Sequence, residues 1–249
     1  MKKLYFLFLA AMIYAAGIKA QDSYVSAGEN YVAQDILVNY DLFSTFDIRD
    51  NLLYGNEGDT IRVIDLATGN ELATYAKPGT YDAFPGFITV NENGTEIWAG
   101  YTVTGNSDDR IYRIQTSTGT WHHEATLTGN FDLEIFNGYL IANGAVYGEP
   151  NKIYLLDTTG NDDHRILVET GGNSAGFAID DNGNLYYGTS FSDNNQLVRF
   201  SGDAFLGVME DTTAAPLQFG ESTVLTNIPA GAYDTDVDQA GNVVFSFNA

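Results

Sequence analysis

Along most of the chain, apolar residues fall in short alternating runs separated by Asn, Asp and Gly, the pattern of half-buried strands joined by tight turns. FITVNENGTEIWAG (Phe87 to Gly100) shows it clearly: an apolar strand, a polar turn and a second strand rich in apolar and aromatic residues. The same pattern recurs in FDIRDNLLYG (Phe46 to Gly55), EIFNGYLIANG (Glu134 to Gly144), IDDNGNLYYGTS (Ile179 to Ser190) and VDQAGNVVFS (Val237 to Ser246). Helical periodicity is almost absent outside the first 20 residues.

The glycines that close the second strands stand at 55, 100, 144 and 188, spaced by 45, 44 and 44 residues. A third strand candidate follows in step: TIRVIDLATG, RIYRIQTSTG, KIYLLDTTG and QLVRFSG, each ending in a Thr-Gly or Ser-Gly turn. ELATYAK, WHHEATL and HRILVET supply a fourth, as does STVLTNI after an insertion around Asp211 to Gly220. Four antiparallel strands per unit of about 44 residues predict an all-β fold, a β-propeller of four-stranded blades.

About five blades are visible, and the fifth stops in its second strand at NVVFSFNA. The segment SYVSAGENYVAQDILV (Ser23 to Val38) is strand-like and is expected to supply the missing outer strands, because an open blade leaves unpaired edges. The alternative is a fragment of a ring of six to eight blades.

The N-terminus adds an address. Lys2 and Lys3 precede an apolar run from Leu4 to Ile18, with Ala20 at a cleavage position, which reads as a signal peptide over residues 1–20 and a propeller domain over 21–249. That run is short for a bilayer span, which needs roughly twenty residues, so no membrane insertion is expected. The expected destination is outside the cytoplasm: periplasmic, cell-surface or secreted. With no cysteine, the chain has neither a disulfide nor a lipidated cysteine anchor, and packing alone must hold it together.

Charge narrows the partners. The 33 acidic and 11 basic residues give a net charge of −22, and loss of Lys2, Lys3 and Lys19 with the leader takes it to about −25. Nucleic acid and anionic membrane surfaces are poor partners for such a field.

IDDNGNLYYGTSFSDNNQLVRF (Ile179 to Phe200) resembles the repeat of NHL-type and lactonase-like propellers, in which an Asp-x-x-Gly-Asn turn precedes a strand and a later polar loop leads into an aliphatic-Arg-aromatic strand. The resemblance covers one blade well, and Val237 to Phe247 repeats its first half. It implies the architecture and not a chemistry, since such folds host binding modules, hydrolases and lyases alike. No metal-ligand set of the gluconolactonase-like enzymes carries over residue by residue.

In such a fold, the loops before the first strand of each blade and those between its second and third strands share one face. Three of the latter combine an aromatic with amides and carboxylates: Tyr101 with Asn106 and Asp109, Tyr147 with Glu149 and Asn151, and Phe191 with Asp193 and Asn195. That mixture suits a neutral polyhydroxylated ligand, a glycan or another small polar molecule, with rings covering C–H surface and oxygens accepting hydroxyl protons.

Acidic residues also gather ahead of the inner strands. Alternation puts Asp132 with Glu134, and Asp234 with Asp236, on one strand face each, where they could point toward a channel and offer oxygens to Ca²⁺. Asp234 to Asp238 lacks the glycine of an EF-hand loop. His122, His123 and His164 fall on predicted outer strands or their turns and read as decoration of a solvated edge. Asp180 and Asp181 occupy a turn whose counterparts include Asp50-Asn51 and Gln239-Ala240, so they read as turn chemistry.

The expected function is an exported, non-catalytic propeller that binds a glycan, another small polar molecule or a protein partner through its loop face, with no cofactor. The alternative is a lactonase-like hydrolase or polysaccharide lyase using channel carboxylates, with Ca²⁺ as the possible cofactor.

Overall fold

A computed structural model describes residues 45–79, 83–103, 109–145, 150–158, 163–170, 176–190, 195–228, 231–238 and 241–247. The first sheet contains β1 (Thr45–Arg49), β2 (Leu52–Asn56), β3 (Thr60–Asp65) and β4 (Glu71–Ala76) in that spatial order. The second repeats it with β5 (Ala83–Val90), β6 (Glu96–Val103), β7 (Arg110–Gln115) and β8 (Thr120–Thr126). The third holds β9 (Leu133–Phe136), β10 (Tyr139–Gly144), β11 (Lys152–Leu155) and β12 (Arg165–Glu169).

In the fourth sheet, β13 (Phe177–Ile179), β14 (Leu185–Gly188) and β15 (Gln196–Phe200) precede an insertion. That insertion is α1 (Gly202–Glu210), the short strand β16 (Leu217–Gln218) and a 3-10 turn, after which β17 (Thr223–Asn227) completes the sheet against β15. The strands β18 (Ala232–Val237) and β19 (Val243–Phe247) form a fifth, two-stranded sheet. Every pairing is antiparallel except that of β16, which runs parallel to β12 and adds an outer strand to the third sheet.

Within each sheet the chain meanders outward from the first strand, and the first strands of successive sheets lie side by side. Asp236 on β18 lies within electrostatic reach of Asp47 on β1. This is the predicted β-propeller. The segment 23–38 expected to complete the fifth blade lies outside the described residues.

Core clusters fill the spaces between neighbouring blades. Tyr54, Ile61 and Val63 of the first meet Ile88, Ile97, Ala99 and Tyr101 of the second. Phe87, Trp98 and Ile111 of the second meet Leu133, Ala142 and Leu156 of the third. A larger cluster joins the third blade, the fourth and α1. Burying strongly apolar strand faces on both sides of each sheet is the main driving force for this assembly.

Turn chemistry positions the strands as expected. Asp180 accepts hydrogen bonds from the backbone N–H groups of Asn182 and Asn184 and from the Asn184 side chain at 2.8–2.9 Å. Asp238 repeats this with Asn242 at 2.7 and 2.8 Å. Burial pushes the Asp180 carboxyl up, but hydrogen bonds from Asn184, Asn182 and Tyr186 outweigh it and hold the pKa below the usual carboxylate range.

The insertion carries a helix, α1, that the strand pattern did not predict. Ser201 caps α1 by accepting the Ala204 N–H, and Phe205, Val208 and Met209 bury one stripe. Gly202 sits so close to blade four that a Cβ would lie 2.1 Å from the Asn182 carbonyl oxygen. Arg165 on β12 donates to the carbonyls of Val208 and Met209 at 2.6 Å each, satisfying groups that a helix C-terminus leaves free.

Candidate functional site

The loop-face residues divide into two groups. Asn106, Tyr147, Glu149, Phe191 and Asp193 lie outside the described residues. Tyr101, Asp109, Asn151 and Asn195 lie within them, and the first three are buried.

Tyr101 is fully buried between blades one and two, its ring against Tyr112, Trp121 and the Lys77 ammonium, 4.5 Å from the ring centre. Its hydroxyl accepts from the Asn56 amide at 3.2 Å, and burial raises its pKa far above that of free tyrosine. Asn151 donates to the Tyr187 hydroxyl at 3.0 Å between blades three and four, so the Asn–Tyr pairing recurs. Asp109 accepts the Asn130 N–H at 3.0 Å. Asn195 is half-buried, and its carbonyl accepts the Ile228 N–H at 2.9 Å. Tyr101, Asp109 and Asn151 are therefore struts of the loop face rather than its contact surface: strands from adjacent blades converge there, and buried polar groups must be paired.

Asn143 fixes the approach to the third inner strand. Its side-chain oxygen accepts the N–H groups of Phe131 and Asp132 at 3.0 and 2.8 Å, while Asn130 donates to its carbonyl at 3.0 Å. The Asp132 carboxylate is thereby held at the start of β9, where its two oxygens accept the N–H groups of Leu133 at 2.9 Å and Phe177 at 2.8 Å. The second bond ties blade three to the start of β13.

Asp234 approaches β13 from the other side. A Cβ on Gly176 would come within 2.7 Å of both the Asp234 Cα and its Oδ1, so glycine is required there. Asp132 and Asp234, 102 positions apart in sequence, thus flank the same residues, Gly176 and Phe177. The start of an inner strand lies on the loop face, which puts this pair at the mouth of the axial channel.

Asp47 on β1 accepts the N–H groups of Ile48 and Val90 at 2.6 and 2.8 Å, and Arg49 donates to the Val90 carbonyl. Asp236 accepts the Val237 N–H at 2.7 Å. All four carboxylates are half-buried.

Their electrostatics follow from that crowding. Burial, then the Asp234 charge, pushes Asp132 well above the usual carboxylate range against the pull of its two N–H partners. Burial, then Asp236, raises Asp234 to about 7. Burial also raises Asp47, with Arg49 opposing. Like charges in a poorly solvated cluster cannot all ionise cheaply, so Asp132 and Asp234 hold their protons to higher pH than free carboxyls do.

The sequence had paired Asp132 with Glu134 and Asp234 with Asp236 along single strands. The charges that act on Asp132 are those of Asp234 and Asp236, across the channel. Glu134 is half-buried on β9. Among the described residues no three His, Cys, Asp or Glu side chains converge closely enough to hold a metal ion. Both Asp132 oxygens already serve N–H donors, which leaves one lone pair on each for a cation that takes six to eight oxygens.

His122 and His123 are exposed on β8, as expected of an outer strand. His164 is not a decoration. It is half-buried, its Nδ1 accepts the Asp157 N–H at 3.1 Å, and its Nε2 lies 2.9 Å from the Thr126 carbonyl of blade two. Accepting at Nδ1 puts the proton on Nε2, which donates to that carbonyl.

No family model matches the chain, and no curated protein does. Solved structures do match in shape. Hydrazine synthase from Kuenenia stuttgartiensis aligns with a TM-score of 0.59 at 15% identity over 84% of this chain and 72% of that one. The nidogen/laminin complex gives 0.59 and 15% over 82% and 70%. Virginiamycin B lyase from Staphylococcus aureus gives 0.53 and 19% over 81% and 61%. At such identities the likeness shows the β-propeller fold alone.

Proposed function

We propose that the protein is an exported, non-catalytic β-propeller that binds a ligand or a protein partner through the face on which its inner strands begin. The observation that carries this reading is the Asp132–Asp234 pair: two half-exposed carboxylates from different blades, held at the channel mouth by Asn143, Phe177 and Gly176. Rigid scaffolding around partly exposed charged groups is the arrangement of a recognition site. The pair would accept hydrogen bonds from a glycan or other polar small molecule, or meet a basic side chain of a protein. A propeller in the nidogen/laminin complex is a precedent for this scaffold within a protein assembly.

Export is supported by the leader-like residues 1–20. The destination would be the periplasm, the cell surface or the medium. A pulldown from envelope and culture fractions, alongside a glycan and metabolite panel read by calorimetry, tests the reading. Binding that weakens in Asp132→Asn and Asp234→Asn supports it. Absence of any ligand or partner whose binding depends on Asp132 or Asp234 sinks it.

A second reading is favoured by one observation, the proton held near neutrality by this pair, since a carboxyl raised to about 7 is suited to general acid–base work. The chemistry would be lactone hydrolysis or cleavage of a uronate polymer. Turnover by purified protein that disappears in Asp234→Asn supports it, and no turnover on either substrate class removes it.

A further inference from the structure

A cavity of about 240 Å³ opens on the same face, between the second and third blades, lined by Thr126, Leu127, Thr128, Gly144, Pro150, Lys152 and Tyr154. Strand geometry explains the opening. In the ladder Gly144 stands opposite Lys152 and Ala142 opposite Tyr154, so all four share one face of the third sheet, turned toward blade two. Gly144 lets this wall close up on its neighbours: a Cβ there would lie 2.9 Å from the Tyr154 ring and 3.0 Å from the Thr128 carbonyl oxygen, so Tyr154 and Lys152 border the cavity from the third sheet.

The opposite wall is fixed. His164 donates to the Thr126 carbonyl, the Leu127 N–H bonds the Asp109 carbonyl at 2.9 Å, and the Ala145 N–H bonds the Gly129 carbonyl at 3.0 Å. The cavity therefore does not depend on ligand to hold its shape.

Its charge is unusual for this chain. Arg62 is paired with Glu57 and Glu71, Lys77 with Asp59, and Arg113 with Glu96 and Glu124. Arg165 is spent on the end of α1. Lys152 is half-buried and, among the described residues, its ammonium has no ion pair or hydrogen-bond partner, although the protein carries 33 acidic residues. Glu169 stands opposite Lys152 in the ladder but forms no ion pair with it, which leaves the ammonium available to an anion.

We propose that this cavity binds a small carboxylated ring compound, a monosaccharide acid of the hexuronate type, with Lys152 on the carboxylate, Tyr154 and Leu127 against the C–H face, and the Thr128 hydroxyl toward the ring hydroxyls. One ammonium matches one carboxylate, whereas a phosphate dianion would meet a strongly acidic protein with a single cation to hold it. The volume sits below the usual range for drug-sized ligands, roughly 300–1,000 Å³, and suits one ring rather than a chain. The proposal goes beyond the channel-mouth reading, because it names a ligand class for a second site whose lining includes neither Asp132 nor Asp234.

Calorimetry or saturation-transfer NMR on the full chain tests it, with glucuronate, galacturonate, glucose and inorganic phosphate as probes. Expected is saturable binding of a uronate, at least about tenfold weaker in Lys152→Gln, the loss of one charge-assisted contact, and partly restored in Lys152→Arg. Tyr154→Leu weakens it as well, with the melting temperature checking that the fold survives. Asp132→Asn and Asp234→Asn leave it unchanged. No uronate binding, uronate binding indifferent to Lys152, or phosphate binding more tightly than uronate overturns the proposal. Because neither Asp132 nor Asp234 lines this cavity, its failure leaves the channel-mouth reading standing.

Discussion

The acidic pair at the channel mouth makes the pH dependence of stability a quantitative test. Asp234 has a folded pKa of about 7, against an unfolded carboxyl near 3.9. A group with a raised folded pKa contributes its stability fully below the unfolded value and loses it as pH rises through the folded one. Folding is therefore penalised above about pH 7, and the penalty fades as pH falls toward 4. At about 1.36 kcal/mol per pH unit, a shift of about three units corresponds to roughly 4 kcal/mol at most.

Contact with channel water reduces that figure, so roughly 2–4 kcal/mol is a reasonable range. Asp234→Asn removes the charge while keeping an oxygen to accept the Thr235 N–H, a 2.9 Å bond in the wild type. At pH 8 the variant should be more stable by that amount, or roughly 4–16 °C in melting temperature for a domain of this size. Near pH 4.5 the gain should have largely vanished.

Thermal melts of both proteins from pH 4.5 to 8.5 in moderate salt measure the difference. Taking wild type and variant together removes the general effect of a net charge of −22, which acts on both. A difference that stays flat across the range, or a variant less stable than wild type at pH 8, refutes the claim that Asp234 is forced to ionise in a crowded channel.

Three further outcomes follow from the packing. His164→Ala should cost about 1–3 kcal/mol, because it orphans the Asp157 N–H and the Thr126 carbonyl; urea unfolding measures it. Tyr101→Phe should destabilise by about 1–2 kcal/mol without altering uronate binding, since its hydroxyl serves Asn56 alone in a buried seam; melts and calorimetry together check both halves. Phe205→Ala should cost about 3–5 kcal/mol, the value for a buried ring, if α1 belongs to the core; an equilibrium unfolding midpoint equal to wild type would show that the insertion is peripheral.

The repeat was legible because a blade is a local object. Strand alternation, Asx-type turns and Thr-Gly or Asn-Gly corners are set within a dozen residues, so strand order and the four-strand unit could be read directly. Helix α1 was missed because its apolar stripe, Phe205, Val208 and Met209, spans barely one turn of pattern, and Gly202 looked like the end of β15 rather than a contact with blade four.

The periodic glycines teach the same limit. They mark the second strand of each unit, yet Gly100 and Gly188 face the following blade while Gly144 faces the preceding one. In a strand an offset of one residue reverses the face, so a repeat interval fixes the element and not the side on which a residue lies. What the sequence by itself determined is therefore the all-β blade, its turns and the acidic balance, because these depend on neighbours along the chain. Only the tertiary structure decided that Tyr101 and Asn151 are buried struts, that Asp132 meets Asp234, and that Lys152 borders a cavity between blades two and three, because each depends on which strand faces come together across a blade boundary.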